Sequence, residues 1–261
     1  MALSFTPAFV AALVLLVLVA GTVNGLAGFG FAVVGTMGLA TVVAPAVAVA
    51  FMILPIFAVN VALVRELSVT ELRTCGRRFA PLILAALAGT LLGMVLLDRV
   101  PAGPLRVALG LVALAFVASV QKLVDLPGLD RTKEACFVET PLAMAGVGGV
   151  SGLLFGGTNV GVQLVAYIRS CDLSHGLFVG VVAMVFLGLN GVRVGAAGVL
   201  GLYPDLATFA ASLAAAVPAV VGVAVGSRLR ERVGERLRRS LVLGLLTAIG
   251  IRLILGGLGI A

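Results

Sequence analysis

Long apolar runs, separated by short polar stretches, take up most of the chain. They cover Ala8–Asn24, Phe31–Ala44, Ala46–Val64, Phe79–Leu97, Pro104–Val120, Thr140–Phe155, Val160–Ile168, Gly176–Leu200, Leu206–Gly226 and Leu241–Gly259. A membrane-spanning helix needs about 20 apolar residues. Seven of the runs reach or approach that length. Phe31–Ala44 and Val160–Ile168 are short, and each follows a glycine cluster. Half-helices or re-entrant pieces are expected there, with eight to ten membrane segments in all. The first charged side chain is Arg65. Without a basic leader region, Leu13–Ala20 is expected to begin the first membrane segment.

Composition agrees with the pattern. Of 261 residues, 61% are hydrophobic and 11% charged, with a mean hydropathy of +1.24. Soluble domains are about half apolar and about a quarter charged. A soluble fold could not hide this much apolar surface. The net charge of +7 does not point to nucleic acid, because the basic residues sit in short loops between apolar runs. Cys75, Cys136 and Cys171 lack metal-ligand spacing, and His175 is the lone histidine. The thiols are expected on the cytoplasmic side, reduced. No cofactor and no metal are expected.

Glycine patterns suggest a duplication. Asn24-Gly25-Leu26-Ala27-Gly28-Phe29-Gly30 ends the first run, and Ser151-Gly152-Leu153-Leu154-Phe155-Gly156-Gly157 ends the sixth. Gly89 and Gly93 are matched by Gly222 and Gly226, Gly110 by Gly244, and Asn60 by Asn190. The expected organisation is a first membrane repeat at 1–121, a cytoplasmic linker at 122–139 and a second repeat at 140–261.

Charge sets orientation. Loop Arg65–Arg78 carries four arginines, Lys122–Glu139 three basic residues and Arg228–Arg239 six arginines. The positive-inside rule makes all three cytoplasmic. The basic loop precedes the Gly89/Gly93 helix but follows the Gly222/Gly226 helix. Matched helices therefore cross in opposite directions. The expected fold class is an all-α, polytopic integral membrane protein with two inverted-topology repeats and glycine-broken helices, a common transporter plan.

The glycine breaks carry the candidate chemistry. Broken helices at membrane depth must line protein or a cavity, and a half-helix N-terminus favours anions. Candidate substrate-binding residues are Asn24, Gly28, Phe29 and Gly30 from one half, and Ser151, Gly156, Gly157, Thr158 and Asn159 from the other. Thr22, Thr36 and Gln163 are further polar neighbours. Arg193 and Arg252 sit within apolar runs. Intramembrane charge is functional by default, and snorkelling to an interface is the alternative. Arg193 is the better candidate for a balancing charge, and no Asp or Glu lies deep in any run. The imbalance favours an anionic substrate.

At these breaks the sequence resembles the sulfite exporter TauE/SafE family. Asn24–Val34 looks like the family's first-repeat glycine motif, and Gly149–Gly157 like its second. The family pattern often has a proline soon after the glycine core, and Phe31–Gly38 lacks one. The resemblance implies a secondary transporter, an exporter of sulfite or of organosulfonates such as sulfoacetate. A multi-pass protein of a prokaryotic plasma membrane is expected, with the small anion and the lipid bilayer as partners, no nucleic acid, and either a monomer or a homo-oligomer. The alternatives are a permease for another small organic anion such as a carboxylate, a membrane enzyme, and a passive scaffold. No visible nucleophile or acid–base pair supports an enzyme. No Gly-Lys-Ser/Thr phosphate loop supports primary pumping.

The topology yields a direct expectation. Single cysteines at positions 75 and 234 should react with an impermeant thiol reagent from the same, cytoplasmic side. Labelling from opposite sides would refute the inverted arrangement.

Overall fold

The computed structural model describes residues 5–65, 67–97, 99, 101–120, 140–169, 171, 173, 175–230, 232 and 234–260. The expected linker 122–139, with Cys136, lies outside them, as do Asp98, Val100, Asp172, Glu231 and Val233. Among the described residues the chain forms α-helices and no strand. They are α1 (Pro7–Ala27), α2 (Phe31–Ala40), α3 (Pro45–Val64), α4 (Val69–Arg78), α5 (Ala80–Leu97), α6 (Ala102–Val120), α7 (Pro141–Thr158), α8 (Val162–Arg169), α9 (His175–Val199), α10 (Leu206–Leu229) and α11 (Glu235–Gly257).

Ten of these follow the apolar runs. The eleventh, α4, lies in a loop where apolar content gave no signal. Its boundary is nonetheless written in the sequence as a capping box. Ser68 accepts from the Glu71 amide, and Glu71 accepts from the Ser68 amide. The Ser68 hydroxyl and amide together hold the Glu71 carboxyl below its ordinary range. Pro7, Pro45 and Pro141 stand in the first turns of α1, α3 and α7, where a missing N–H costs nothing. Asp205 caps α10 by accepting from the Thr208 amide at 2.6 Å.

Among the described residues, five helices are long and apolar enough to cross a membrane. They are six if α4 and α5, bent by 73° at their junction, count as one unit. The shorter apolar helix α2 and the described apolar parts of α6 and α11 come in addition, and the eight to ten segments expected included such short pieces.

Glycine, by letting backbones touch, decides how the helices pack. Gly21 and Gly25 of α1 lie against Ala219, Gly222, Val223 and Gly226 of α10, and the two helices run parallel. Gly89 and Gly93 of α5 lie in the same way against Gly149, Leu153 and Gly156 of α7, again parallel. A third pair, α6 and α11, is antiparallel, with Gly103 against Gly257 and Gly110 against Gly250. Gly110 thus meets a neighbouring backbone, whereas a side chain at Gly244 would meet open space. Gly89, Gly93, Gly222 and Gly226 all pack directly against a neighbouring backbone.

Helix α2 folds back along α1, with Gly38 against Leu16 and Gly35 against Met52 of α3. Helix α3 is buried over most of its length. Pro55 within it cannot donate to the Phe51 carbonyl one turn earlier. Ser212 of α10 donates its hydroxyl to that carbonyl instead. Freed backbone at membrane depth is resatisfied by a neighbouring helix in this way.

Gly89→Ala and Gly226→Ala would each push a methyl into a facing backbone carbonyl, of Gly149 and Thr22 respectively. Each should lower thermal stability in detergent by the equivalent of about 1–3 kcal/mol. Gly195→Ala faces open space and should leave the melting temperature unchanged or slightly raised.

Candidate functional site

Two breaks interrupt apolar backbone, and they are built alike. α1 ends on Gly28 with φ 81°, and α7 ends on Asn159 with φ 60°. Both are left-handed caps, a conformation that costs most side chains about 1–2 kcal/mol and that glycine and asparagine tolerate. Two residues past each cap stands another glycine, Gly30 or Gly161, and then a new helix begins. Geometry therefore matches Asn24–Gly30 with Phe155–Gly161. The sequence reading paired it with Ser151–Gly157, four positions earlier. One helical turn moves a glycine spacing back onto itself, so glycines alone could not fix the register.

An arginine takes a carbonyl near the end of each broken helix. Arg230 donates Nε and an Nη to the Gly25 carbonyl, at 2.9 and 2.7 Å. Arg193 donates an Nη to the Gly156 carbonyl at 3.5 Å. Each carbonyl stands three positions before its left-handed cap, 25 before 28 and 156 before 159. A cation at a helix C-terminus is favourable by charge and by hydrogen bonding. Sequence analysis placed Arg230 only as a loop charge. Nothing in its local pattern reveals a contact 205 positions away.

A partly open cavity lies between the breaks. Asn24, Gly28, Phe29 and Gly30 line it on one side, and Phe155, Asn159 and Gly161 on the other. Phe31, Ala32 and Val33 of α2, Ile56, Val59 and Asn60 of α3, Val165 of α8, and Val182 and Phe186 of α9 complete the described wall. It offers about 50 Å³ to the centres of water-sized bodies. A single water needs about 10–15 Å³ on that measure. The space therefore suits a few waters or one small oxyanion.

The polar groups of the wall are amides. The Asn24 side-chain oxygen accepts from the Phe31 amide at 3.1 Å, which leaves its NH₂ group as a donor. Asn60 donates to the Ile56 carbonyl at 2.8 Å. Fully buried Asn159 donates to the Thr36 hydroxyl at 3.0 Å and to the Val49 carbonyl at 2.9 Å. The Val49 carbonyl can only accept, which fixes the orientation of the Asn159 amide. Its Oδ1 is buried without a partner. Among the described residues, no charged side chain lines the cavity.

Thus the structure brings Asn24, Gly28, Phe29, Gly30 and Asn159 together at one cavity, and it leaves the other expected residues out of the lining. Ser151 is buried within the bundle. Gly156 and Gly157 face α5, against Thr90 and Gly93. Thr158 spends its hydroxyl on the Leu154 carbonyl and the Val160 amide. Arg193 is fully buried one layer back, its guanidinium carbon 4.7 Å from the centre of the Phe155 ring and an Nη 3.2 Å from the Asn190 side-chain oxygen. Phe155 itself lines the cavity. Arg252 is exposed on α11, as the snorkelling alternative requires. Asn60, Phe155 and Phe186 enter the wall without having been singled out for it. A buried aromatic in an apolar run looks the same as any other core residue.

A protein-family model described as "Sulfite exporter TauE/SafE" matches residues 13–253. No curated protein and no solved structure matches the chain.

The left-handed cap of α7 gives a stability test. Asn159→Gly keeps the backbone conformation and loses the two donated hydrogen bonds, whereas Asn159→Ala loses both. Thermal unfolding should rank wild type above Asn159→Gly, with Asn159→Ala lower again by about 1 kcal/mol.

Proposed function

The chain belongs to the sulfite exporter TauE/SafE family, and from that premise we propose that it is a secondary transporter exporting small sulfur-containing anions, sulfite or organosulfonates such as sulfoacetate. The observation that carries this reading is the cavity between the two breaks, walled by amides and by the first turn of α2, with no carboxylate in its lining.

The α2 N-terminus supplies the positive end of a dipole and unpaired backbone N–H groups. The Phe31 amide is taken by Asn24. The amides of Ala32 and Val33, whose residues line the cavity, have no intrahelical acceptor by position. An oxyanion placed there gains hydrogen bonds of about 1.5–3 kcal/mol each against its charge. Asn24 supplies a side-chain donor. The unpartnered Asn159 oxygen suits a ligand that also carries a proton, as hydrogensulfite does.

Arg193 supplies charge without contact. The guanidinium carbon lies 4.7 Å from the Phe155 ring centre, so an anion on the far face of the ring sits roughly 8 Å away. At an effective dielectric constant of about 20 that attraction is about 2 kcal/mol. Charge acting across a ring discriminates anion from neutral solute but does not demand a fork-shaped partner.

Alternating access about this cavity follows if residues 1–121 and 140–261 form two inverted repeats joined by 122–139. The close parallel pairs α1–α10 and α5–α7, each joining one half to the other, support that arrangement. So do the paired breaks and the matching bonds of Asn60 and Asn190 to the carbonyl four positions earlier.

Electrogenic uptake into proteoliposomes on a solid-supported membrane tests the reading, with sulfite, sulfoacetate and acetate offered separately. The sulfur anions should give currents, and acetate little or none. Equal currents from acetate would favour the carboxylate permease, and no current from any would favour a scaffold. Arg193→Lys should retain most of the apparent affinity, while Arg193→Gln should lose about tenfold or more, since 1.4 kcal/mol is a factor of ten.

A further inference from the structure

Helix α4 does not line the cavity, and among the described residues it touches the bundle along one edge only. None of its residues is buried. It lies at 73° to α5, and if α5 crosses the bilayer α4 runs close to its plane. We propose that α4 is a membrane-surface helix that binds the head groups of anionic phospholipids through Arg73 and Arg77.

The sequence of α4 has two unlike faces. At helical spacing, Val69, Leu72 and Gly76 fall on one stripe, which meets α9 at its Gly76 end, and Arg73 and Arg77 stand beside it, one turn apart. Val69 is 83% exposed and Leu72 39%. Exposed apolar side chains on a basic helix are the signature of a segment lying in the lipid interface. Arg73 and Arg77 are both exposed, and Arg65, just before the helix, is exposed as well. Juxtamembrane arginines attract anionic lipid, each worth roughly a fivefold gain near such a surface.

The protein holds the helix in that position. Leu67, ahead of the cap, fills the space that a side chain at Gly180 of α9 would need. Gly76 faces the Met184 sulfur of α9, at ordinary contact distance for an added methyl. Cys75 packs at the edge of the core. The capping box fixes where the helix begins. With its Gly76 end anchored on α9, the outer edge at Val69, Arg73 and Arg77, all exposed, offers a lipid surface both charge and apolar contact. This inference does not depend on what the protein carries.

The chain contains no tryptophan, so Val69→Trp supplies a single fluorophore on the outer edge. The full-length variant is placed in nanodiscs of phosphatidylcholine with a minor fraction of brominated lipid. Brominated phosphatidylglycerol should quench strongly. Brominated phosphatidylcholine at the same fraction should quench weakly, a preference on the order of tenfold in local lipid. Adding Arg73→Gln and Arg77→Gln should abolish the preference, and Arg73→Lys with Arg77→Lys should retain it. Equal quenching by the two lipids, or none by either, would overturn the proposal. Relief of quenching by excess soluble glycerol phosphate would also overturn it, revealing a free-phosphate site instead of a lipid surface.

Discussion

Backbone that leaves a helix inside an apolar medium has no water to bond to, and each interruption in this chain is organised around that constraint. At the first break the Asn24 oxygen takes the Phe31 amide and Arg230 takes the Gly25 carbonyl. At the second, Arg193 takes the Gly156 carbonyl, and the Thr158 hydroxyl takes the Val160 amide. Pro55 makes a third, smaller gap, and Ser212 fills it from α10. The cavity occupies the region where this compensation stops. There the amides of Ala32 and Val33, in the first turn of α2, have no intrahelical acceptor by position.

The same constraint explains how charge is distributed. A guanidinium exposed directly in a small apolar cavity would carry a large desolvation cost whenever the cavity was empty. Arg193 is instead held against a carbonyl, an asparagine oxygen and the face of Phe155.

Much of this was legible in the sequence. Apolar runs gave ten of the helices to within a few residues at most ends, because lipid-facing helices write their length in composition. Glycines paired with Asn24 and Asn159 marked both breaks. What failed has physical reasons. The two breaks, as the structure builds them, correspond one turn away from the glycine match read in the sequence, because glycines spaced by four recur at every turn and only the backbone angle at Asn159 distinguishes the cap. Helix α4 was missed because a search for apolar length ignores a basic ten-residue segment, although the Ser68–Glu71 box was there to be read. The jobs of Arg230 and Phe155 depend on partners distant in sequence. Arg193 lies within a long apolar helix, as its run indicated, but its burial against Phe155 was invisible.

The glycine contacts also limit how the molecule can move. Where α1 meets α10 and α5 meets α7, backbone rests on backbone, with no side chain between that could change rotamer. Such surfaces do not creep. They either hold or come apart, because a shift of less than a full turn would drive Cα atoms into carbonyl oxygens. Each pair therefore behaves mechanically as one strut, and α6–α11 as a third. Any rearrangement that opens the cavity is left to the contacts filled by flexible side chains, those of α2, α3, α8 and α9. A chain of many helices is thereby reduced to a few rigid bodies around a compliant centre.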